Sequence, residues 1–329
     1  TGGVIIEGSG MGSTVRKDYN NEASANNTTV SGGLFNTASS YYSTVGGGYA
    51  NTVSSYYGSS TIAGGYGNTA SNYDISIGGG RENIALGNGG TIAGGEYNTL
   101  LMSQQSAIGG GYDNTTSGYY QNTIGGGYRN VTNSDYSTVG GGVRNTAYDC
   151  SSTIAGGYHN TLVSYQYDNA RYSTIGGGRN NTISACYNSS SSTIGGGYYN
   201  TIASDYDNSE TSTISGGYRN TVSSSYASTI SGGYLNRTTM SDYSSIGGGG
   251  HNFTVNASCS TIAGGVYNES FNIWTSNGGG YGNCNFGVAS TISGGYDNIA
   301  SGYQSVVSGG YENVAGKQGS VTSASLYGS

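Results

Sequence analysis

The chain has 329 residues, including 63 Gly, 33 Tyr and no Pro, and only 8% of its residues are charged. This composition excludes the usual enzyme folds, which contain more Leu, Lys and other charged residues. The formal net charge of −7 leaves no basic surface to neutralise phosphates, so we predict no nucleic-acid partner. No apolar run approaches the roughly 18 residues that a membrane-spanning helix needs, so we also predict no membrane span.

A short motif, Gly-Gly-x-x-Asn, recurs along almost the whole chain. It occurs eighteen times, with its Asn residues 15–17 positions apart except for three consecutive spacings of 21, 19 and 20. A period this short accommodates two or three strands and no helix, as in solenoid proteins. We therefore predict an all-β chain, a parallel β-solenoid (β-roll or β-helix) of about 18 coils with 15–21 residues each.

In chain order, residues 1–31 are predicted to form an N-terminal β segment, available as an assembly strand, and a first partial coil. Residues 32–318 are predicted to form the solenoid repeats, with insertion loops at 161–212. Residues 319–329 are predicted to be a terminal uncapped strand. Solenoids normally end in a polar cap, and the sequence shows none. The ends are therefore expected either to pair head to tail or to pack against parts of a longer chain.

Within one repeat the consensus is Ser-Thr-Ile/Val-x-Gly-Gly-Tyr-x-Asn-Thr-Ile/Val/Ala. Alternation along a strand places the aliphatic residues inward and the neighbouring Thr outward. The Asn fits a turn, where its amide can bond to the backbone and to the Asn of the next coil. The predicted structural ladder comprises Asn51, Asn68, Asn83, Asn98, Asn114, Asn130, Asn145, Asn160, Asn200, Asn220, Asn236, Asn298 and Asn313.

The run Ser-Thr-Val-Gly-Gly-Gly-Tyr-Ala-Asn-Thr-Val-Ser at residues 43–54 resembles the head repeats of trimeric autotransporter adhesins and of similar phage tail-fibre proteins. This resemblance implies parallel β-rolls that trimerise around faces rich in glycine and alanine. It also implies a role as a surface adhesin. The resemblance extends over nearly the whole chain because the repeat does.

Tyrosine recurs two places before the repeat Asn and again in the return segment of many coils. Stacking the coils would place these rings in columns, which either stiffen the solenoid or offer an adhesive surface for glycans or solids. A column of Thr on the outer face suggests ice binding as a minor alternative. That reading is weakened because the outward position two residues further on is Gly, Ala or Ser.

Two kinds of modification or ligand site can be predicted on surface segments. Asp205, Asp207 and Glu210 in an insertion loop form a weak calcium candidate, since they lack the Gly and the full ligand set of an EF-hand. No other cofactor is predicted. Asn188 and Asn256 are accessible sequon asparagines that would accept glycans if the host glycosylates the chain.

Catalytic constellations are not evident in the sequence. His159 and His251 both precede the repeat Asn, at a position that is otherwise variable, and the four Cys lack the spacing of a metal site. We therefore predict no enzyme. The sequence favours a homo-oligomeric structural subunit of an extracellular fibre or filament, assembled through solenoid ends or faces. The alternative is a trimeric adhesin or phage-type receptor-binding shaft that recognises glycans or surfaces. Either role places the chain outside the cell or on a cell or virion surface.

Overall fold

The computed structural model describes residues 5–16, 20–55, 58–102, 104–164, 172–185, 191–203 and 211–322. The chain divides into two compact units, unit 1 (Thr1–Tyr158) and unit 2 (His159–Ser329). Each unit is described separately below. All regular structure in the described residues consists of β-strands of two to four residues.

The described residues of unit 1 form twenty strands. They are β1 (Ile5–Glu7), β2 (Thr14–Arg16), β3 (Glu22–Ala23), β4 (Thr29–Val30), β5 (Thr37–Ala38), β6 (Thr44–Val45), β7 (Thr52–Val53), β8 (Thr61–Ile62), β9 (Thr69–Ala70), β10 (Ser76–Ile77), β11 (Ile84–Ala85), β12 (Thr91–Ile92), β13 (Thr99–Leu100), β14 (Ala107–Ile108), β15 (Thr115–Thr116), β16 (Thr123–Ile124), β17 (Val131–Thr132), β18 (Thr138–Val139), β19 (Thr146–Tyr148) and β20 (Thr153–Ile154).

A further twenty strands lie in the described part of unit 2. They are β21 (Thr161–Ser164), β22 (Thr174–Ile175), β23 (Thr182–Ala185), β24 (Thr193–Ile194), β25 (Thr201–Ala203), β26 (Thr213–Ile214), β27 (Thr221–Ser223), β28 (Thr229–Ile230), β29 (Arg237–Thr239), β30 (Ser245–Ile246), β31 (Phe253–Val255), β32 (Thr261–Ile262), β33 (Glu269–Ser270), β34 (Ser276–Asn277), β35 (Cys284–Asn285), β36 (Thr291–Ile292), β37 (Ile299–Ala300), β38 (Val306–Val307), β39 (Val314–Ala315) and β40 (Val321–Thr322).

Within each unit, strands of even number pair in parallel with the next even strand, and from β3 onward strands of odd number pair in parallel with the next odd strand. In unit 1, for example, Thr44 of β6 pairs with Thr61 of β8, and Thr52 of β7 pairs with Thr69 of β9. In unit 2 the same register pairs Ile292 of β36 with Val307 of β38. Each coil therefore contributes one strand to each of two parallel sheets. The predicted fold class, a parallel β-solenoid of about 18 turns, is confirmed.

A third line of contacts joins the coils between the two sheets. It consists of single parallel bridges at the residue two places before the repeat Asn, such as Tyr49 with Tyr66 in unit 1 and Tyr281 with Tyr296 in unit 2. The residue that follows this bridge turns the chain sharply. Tyr97, for instance, has a φ of 57°, in the left-handed region that side-chain-bearing residues seldom adopt.

The two strands of each coil each direct one side chain into the interior. A large residue often faces a small one, as with Ile62 and Ala70 in unit 1 and Ile292 and Ala300 in unit 2, all completely buried. Burial of an aliphatic side chain contributes roughly 1.5–3 kcal/mol, so the short repeat gains its stability coil by coil.

At the N-terminal end of unit 1, β1 does not continue the parallel pattern. It pairs with β2 in the antiparallel direction, with Ile6 opposite Val15. The apolar segment that lies outside the repeat therefore covers one side of the first parallel strand. Ile5 and Ile6 themselves remain exposed.

Candidate functional site

The repeat asparagines form a continuous internal ladder in each unit. The side-chain oxygen of Asn68 accepts hydrogen bonds from the backbone N–H and the side-chain amide of Asn83, both at 3.0 Å. The amide nitrogen of Asn68 donates to the carbonyls of Gly64 and Gly80, at 3.0 Å each. One asparagine therefore satisfies polar backbone groups in its own coil and in the following one.

The ladder includes asparagines that were not among the thirteen named from the sequence. In unit 2 the backbone N–H of Asn181 donates to the oxygen of Asn160 at 3.0 Å, across one of the long spacings. In unit 1 the oxygen of Asn21 accepts from the N–H of Asn36 at 3.0 Å. Asn21 follows no Gly-Gly pair, so a search for the motif could not find it. The other additional members are Asn252, Asn268 and Asn283.

A second internal ladder is built from the Ser that precedes the Thr-Ile strand. In unit 2, the hydroxyl of Ser228 accepts the N–H of Ser244 at 3.2 Å, and the hydroxyl of Ser244 accepts the N–H of Ser260 at 3.3 Å. These serines are buried. The sequence signal was the Ser that recurs before this strand in most coils, whose position alone does not reveal that it points inward.

On the exposed side of unit 2, eight successive coils each contribute one ring to a continuous stack. Neighbouring ring centroids in this stack lie 4.7–5.6 Å apart. We call this stack the aromatic ladder; it comprises Tyr198, Tyr218, Tyr234, His251, Tyr267, Tyr281, Tyr296 and Tyr311.

The aromatic ladder stays continuous because its rings come from either of two adjacent positions. Where the bridge position holds Gly250 or Val266, the next residue, His251 or Tyr267, supplies the ring instead. In unit 1 the guanidinium of Arg81 lies 5.5 Å from the ring of Tyr66 and so continues a tyrosine stack by cation–π contact. His251, which the sequence assigned to a variable position, is therefore part of the stack.

At the C-terminal end of the aromatic ladder the ring faces contact one another, whereas Tyr234 with His251 and Tyr267 with Tyr281 meet edge to face. The planes of Tyr281 and Tyr296 differ by 9° at a centroid distance of 5.0 Å, and Tyr296 and Tyr311 repeat this arrangement at 5.1 Å. These three rings keep 41–54% of their surface exposed. Solvent therefore meets ring edges and hydroxyl groups, so a sugar ring cannot stack on the faces in the usual way.

Two glycine columns run beside the tyrosines, and at two coils the reason for glycine differs between the columns. Gly95 has a φ of +89°, and a Cβ there would lie 2.1 Å from the carbonyl oxygen of Gly111. The fold of the chain itself requires glycine at this position. At the preceding Gly94, φ lies outside the left-handed region and a Cβ would meet no atom within 4 Å.

Unit 2 shows the same contrast. Gly265 has a φ of +83° and leaves no room for a Cβ, whereas a Cβ on Gly264 would meet nothing within 4 Å. Yet the position of Gly94 and Gly264 is glycine in all eighteen repeats. At twelve other coils φ at this position lies between +117° and +159°, which itself favours glycine. At Gly94 and Gly264 neither the backbone conformation nor the contacts within the chain require it.

Among the described residues, the thiol of Cys284 has the largest pKa shift. Burial raises its pKa from about 9.0 to about 11, and the nearby carboxylates of Glu269 and Asp297 add to the effect. Its thiol lies 3.8 Å from the Glu269 carboxylate. A thiol in such surroundings is a poor nucleophile at neutral pH.

Several residues that the sequence singled out lie outside the described residues. These are the calcium candidates Asp205, Asp207 and Glu210 and the sequon residue Asn188. Asn256 is described and lies exposed in a return segment of unit 2. In the part of the chain that the structure describes, no group of three or more His, Cys, Asp or Glu is arranged to hold a metal ion.

A family model described as the ubiquitous surface protein adhesin repeat matches residues 290–302. This segment spans one coil, with β36, the Gly294–Gly295 pair, Tyr296, Asn298 and β37. The chain is thus similar to an adhesin repeat, which confirms the resemblance found in the sequence. No curated protein matches the chain.

Among the described residues, no helix has the length and apolar character needed to cross a membrane. The solenoid fold and the adhesin-repeat match together support a structural role of the adhesin or fibre kind.

Proposed function

We propose that the chain is a structural module of a fibre that acts outside the cell or on a cell or virion surface. In this proposal several copies associate through the glycine column that contains Gly94 and Gly264. The role is structural rather than catalytic. The observation that carries the proposal is that Gly94 and Gly264 are glycine although neither the backbone conformation nor the space within the chain requires it.

The physical reasoning starts from what glycine allows. A residue without a side chain is kept where the backbone must adopt a left-handed conformation or where another backbone approaches closely. At Gly94 and Gly264 neither condition arises from the chain itself. Close approach of a second copy of the chain would explain why these two residues are glycine. The match to an adhesin repeat is in keeping with such self-association.

Sedimentation velocity over a range of concentrations, with electron microscopy of the same samples, tests this proposal. The wild-type chain is expected to assemble, either into a closed oligomer of fixed size or into filaments that lengthen with concentration. Gly94→Leu combined with Gly264→Leu is expected to weaken assembly while leaving the circular dichroism spectrum unchanged. Thr91→Leu, which adds the same side chain to an outward position of the Gly94 coil, is the matched control.

Two outcomes would contradict the proposal. A wild-type chain that stays monomeric at every concentration would remove its basis. Assembly that persists unchanged in the double leucine variant would show that the glycine column is not the contact surface.

The exposed tyrosines favour a second candidate function, adhesion to glycans or solid surfaces. Ring edges and hydroxyl groups of Tyr281, Tyr296 and Tyr311 line one side of unit 2 and could hydrogen-bond to hydroxyl-rich partners. A glycan array and adsorption to polysaccharide beads test this role. Replacing all three with Ser should abolish binding if the aromatic ladder is the adhesive surface.

A further inference from the structure

One pair of tyrosines in unit 2 lies outside the aromatic ladder and meets edge to face, unlike the parallel-stacked pairs of the ladder such as Tyr281 and Tyr296. Tyr226 and Tyr243 lie in the return segments of successive coils, with ring centroids 5.1 Å apart and planes at 76°. The backbone N–H of Tyr243 donates to the carbonyl of Tyr226 at 2.8 Å, which fixes the two residues relative to each other. Tyr243 is 61% exposed, so a dissolved reagent can reach its ring.

The two phenol groups also interact with each other. The pKa of Tyr243 is raised first by partial loss of water around its phenol and then by the phenol of Tyr226, through charge and through hydrogen bonding. The carbon next to the hydroxyl-bearing carbon is the position at which tyrosyl radicals couple. When two phenol oxygens lie close together, these ortho carbons lie close together as well.

The stacked pairs provide the contrast. In Tyr281 and Tyr296 the planes differ by only 9°, so the faces oppose each other and each ortho carbon remains about one coil spacing from its counterpart. Coupling there would require both rings to leave the stack. The Tyr226 and Tyr243 pair is already edge to face, with ring centroids 5.1 Å apart, so one ring can reach the other by a side-chain rotation.

We propose that Tyr226 and Tyr243 are a site of oxidative cross-linking, where a one-electron oxidant such as the high-valent haem of a peroxidase joins them as dityrosine. Each phenol gives up one electron and one proton to the oxidant and becomes a phenoxyl radical. The two ortho carbons then form a carbon–carbon bond. The hydrogen on each coupled carbon moves to the phenoxyl oxygen, which restores both rings and both hydroxyls. Overall two hydrogen atoms are lost and two equivalents of oxidant are reduced.

Such a bond would join two successive coils covalently. In a solenoid each coil contacts only its neighbours, and local opening can begin at any of them. A link between return segments holds two coils together when their backbone hydrogen bonds open. It also restricts the unfolded chain, as other covalent cross-links do.

The test is mild oxidation of the dilute protein with a photo-activated ruthenium complex and persulfate, followed by digestion and mass spectrometry. The expected product is a peptide pair that contains Tyr226 and Tyr243 and has lost two hydrogen atoms. Tyr226→Phe should reduce this product to background and remove the rise in melting temperature that oxidation gives the wild-type protein. Tyr296→Phe, which alters a stacked pair, should leave both unchanged.

Two features need their own controls. Cys259 lies exposed in the coil after Tyr243, and its thiol can be oxidised in place of a ring. The same series in a Cys259→Ser background should therefore give the linked peptide in equal or greater yield. Tyr198 and Tyr199 also have interacting phenols, with centroids 4.3 Å apart, but they are sequence neighbours, so coupling there cannot join coils.

The proposal fails if stacked pairs such as Tyr281 and Tyr296 couple as readily as Tyr226 and Tyr243. It also fails if oxidation of the wild-type protein, or of the Cys259→Ser variant, yields no linked peptide containing both residues. Covalent dimers in place of the internal link would equally contradict it, because the geometry assigns the bond to two coils of one chain.

Discussion

The side-chain oxygen of Asn51 accepts two hydrogen bonds from Asn68 in the next coil, one from the backbone N–H and one from the amide, both at 3.0 Å. Both residues are completely buried. Water therefore cannot replace either partner when one is removed, and each asparagine supports its own coil and the next.

Replacement of Asn68 by Ala is expected to lower the free energy of unfolding strongly. It leaves the buried N–H of Asn83 without its partner, and a buried unsatisfied group costs about 1–3 kcal/mol. It also removes one donor each from the carbonyls of Gly64 and Gly80. Urea titration followed by circular dichroism measures the loss. Asn133→Ala, at an exposed asparagine outside the ladder, should change stability little, and an equal loss there would contradict the ladder's role.

The variant Asn68→Asp gives a pH-dependent form of the same prediction. The new carboxylate would be buried next to the carbonyl oxygens of Gly64 and Gly80, which favours the protonated acid and raises its pKa in the folded state. A raised folded pKa means that the variant is most stable below the unfolded value of about 3.9 and loses stability as pH rises through the folded value. Melting temperatures of variant and wild type, compared from pH 3 to pH 7, should diverge as pH increases.

Two buried hydroxyls in unit 2 are expected to be replaceable with a gain in stability. The Oγ1 atoms of Thr238 and Thr254, at inward positions of β29 and β31, have no hydrogen-bond partner. Valine has a similar shape without the buried polar atom, so each Thr→Val change should raise the unfolding free energy by about 1 kcal/mol. Thr261→Val, at an exposed position, is the control. A loss of stability instead would indicate that a buried water bonds to these hydroxyls.

Replacement by alanine is expected to affect the stability of the isolated chain strongly at Gly95 and little at Gly94. Gly95→Ala forces a left-handed φ and a collision with the carbonyl of Gly111, so it should destabilise the fold by about 1–3 kcal/mol or more. Gly94→Ala has open space and should change the unfolding free energy by about 0.5 kcal/mol or less. Thermal unfolding at a concentration where the chain is monomeric compares the two, and equal effects would refute the distinction.

Cys284 should react with iodoacetamide only at high pH. Its folded pKa of about 11 means that the thiolate, the reactive form, becomes abundant near that pH rather than near 9. Because the folded state holds the proton more tightly than the unfolded chain, the thiol's contribution to stability is complete below pH 9 and is lost as pH rises toward 11. Glu269→Gln should shift the alkylation profile to lower pH. A native-state midpoint near 9 in the wild-type protein would contradict the prediction.

Much of the fold could be predicted because the same residue types recur at the same positions of each repeat. Thr44 and Val45, followed by Thr52 and Val53 after one turn, already require two strands per coil, and their recurrence every 15–17 residues requires parallel stacking. The asparagine ladder follows from the same phase, since identical residues in register must meet. Asn21 could not be predicted as a member of the ladder, because no Gly-Gly pair precedes it.

Other features depend on the position of atoms rather than on the repeat. The sequence shows two adjacent glycines in each coil, yet only the backbone conformation reveals that the chain itself requires Gly95 and not Gly94. The structure was also needed to show that the aromatic ladder passes from Tyr234, two places before its repeat Asn, to His251, one place before its repeat Asn. The left-handed backbone conformation of His251 brings its ring into line with that of Tyr234.

The sequence by itself therefore determined the parallel solenoid, the inward and outward faces and the polar ladder, since strand alternation and a constant period leave little freedom. The tertiary structure alone decided which side chains touch. It oriented Tyr226 edge to face against Tyr243 and left the hydroxyls of Thr238 and Thr254 unpaired. It also folded β1 back onto β2. The reason is physical: period and pattern fix which residues are neighbours, whereas rotamers and turn geometry fix the distances and angles between them.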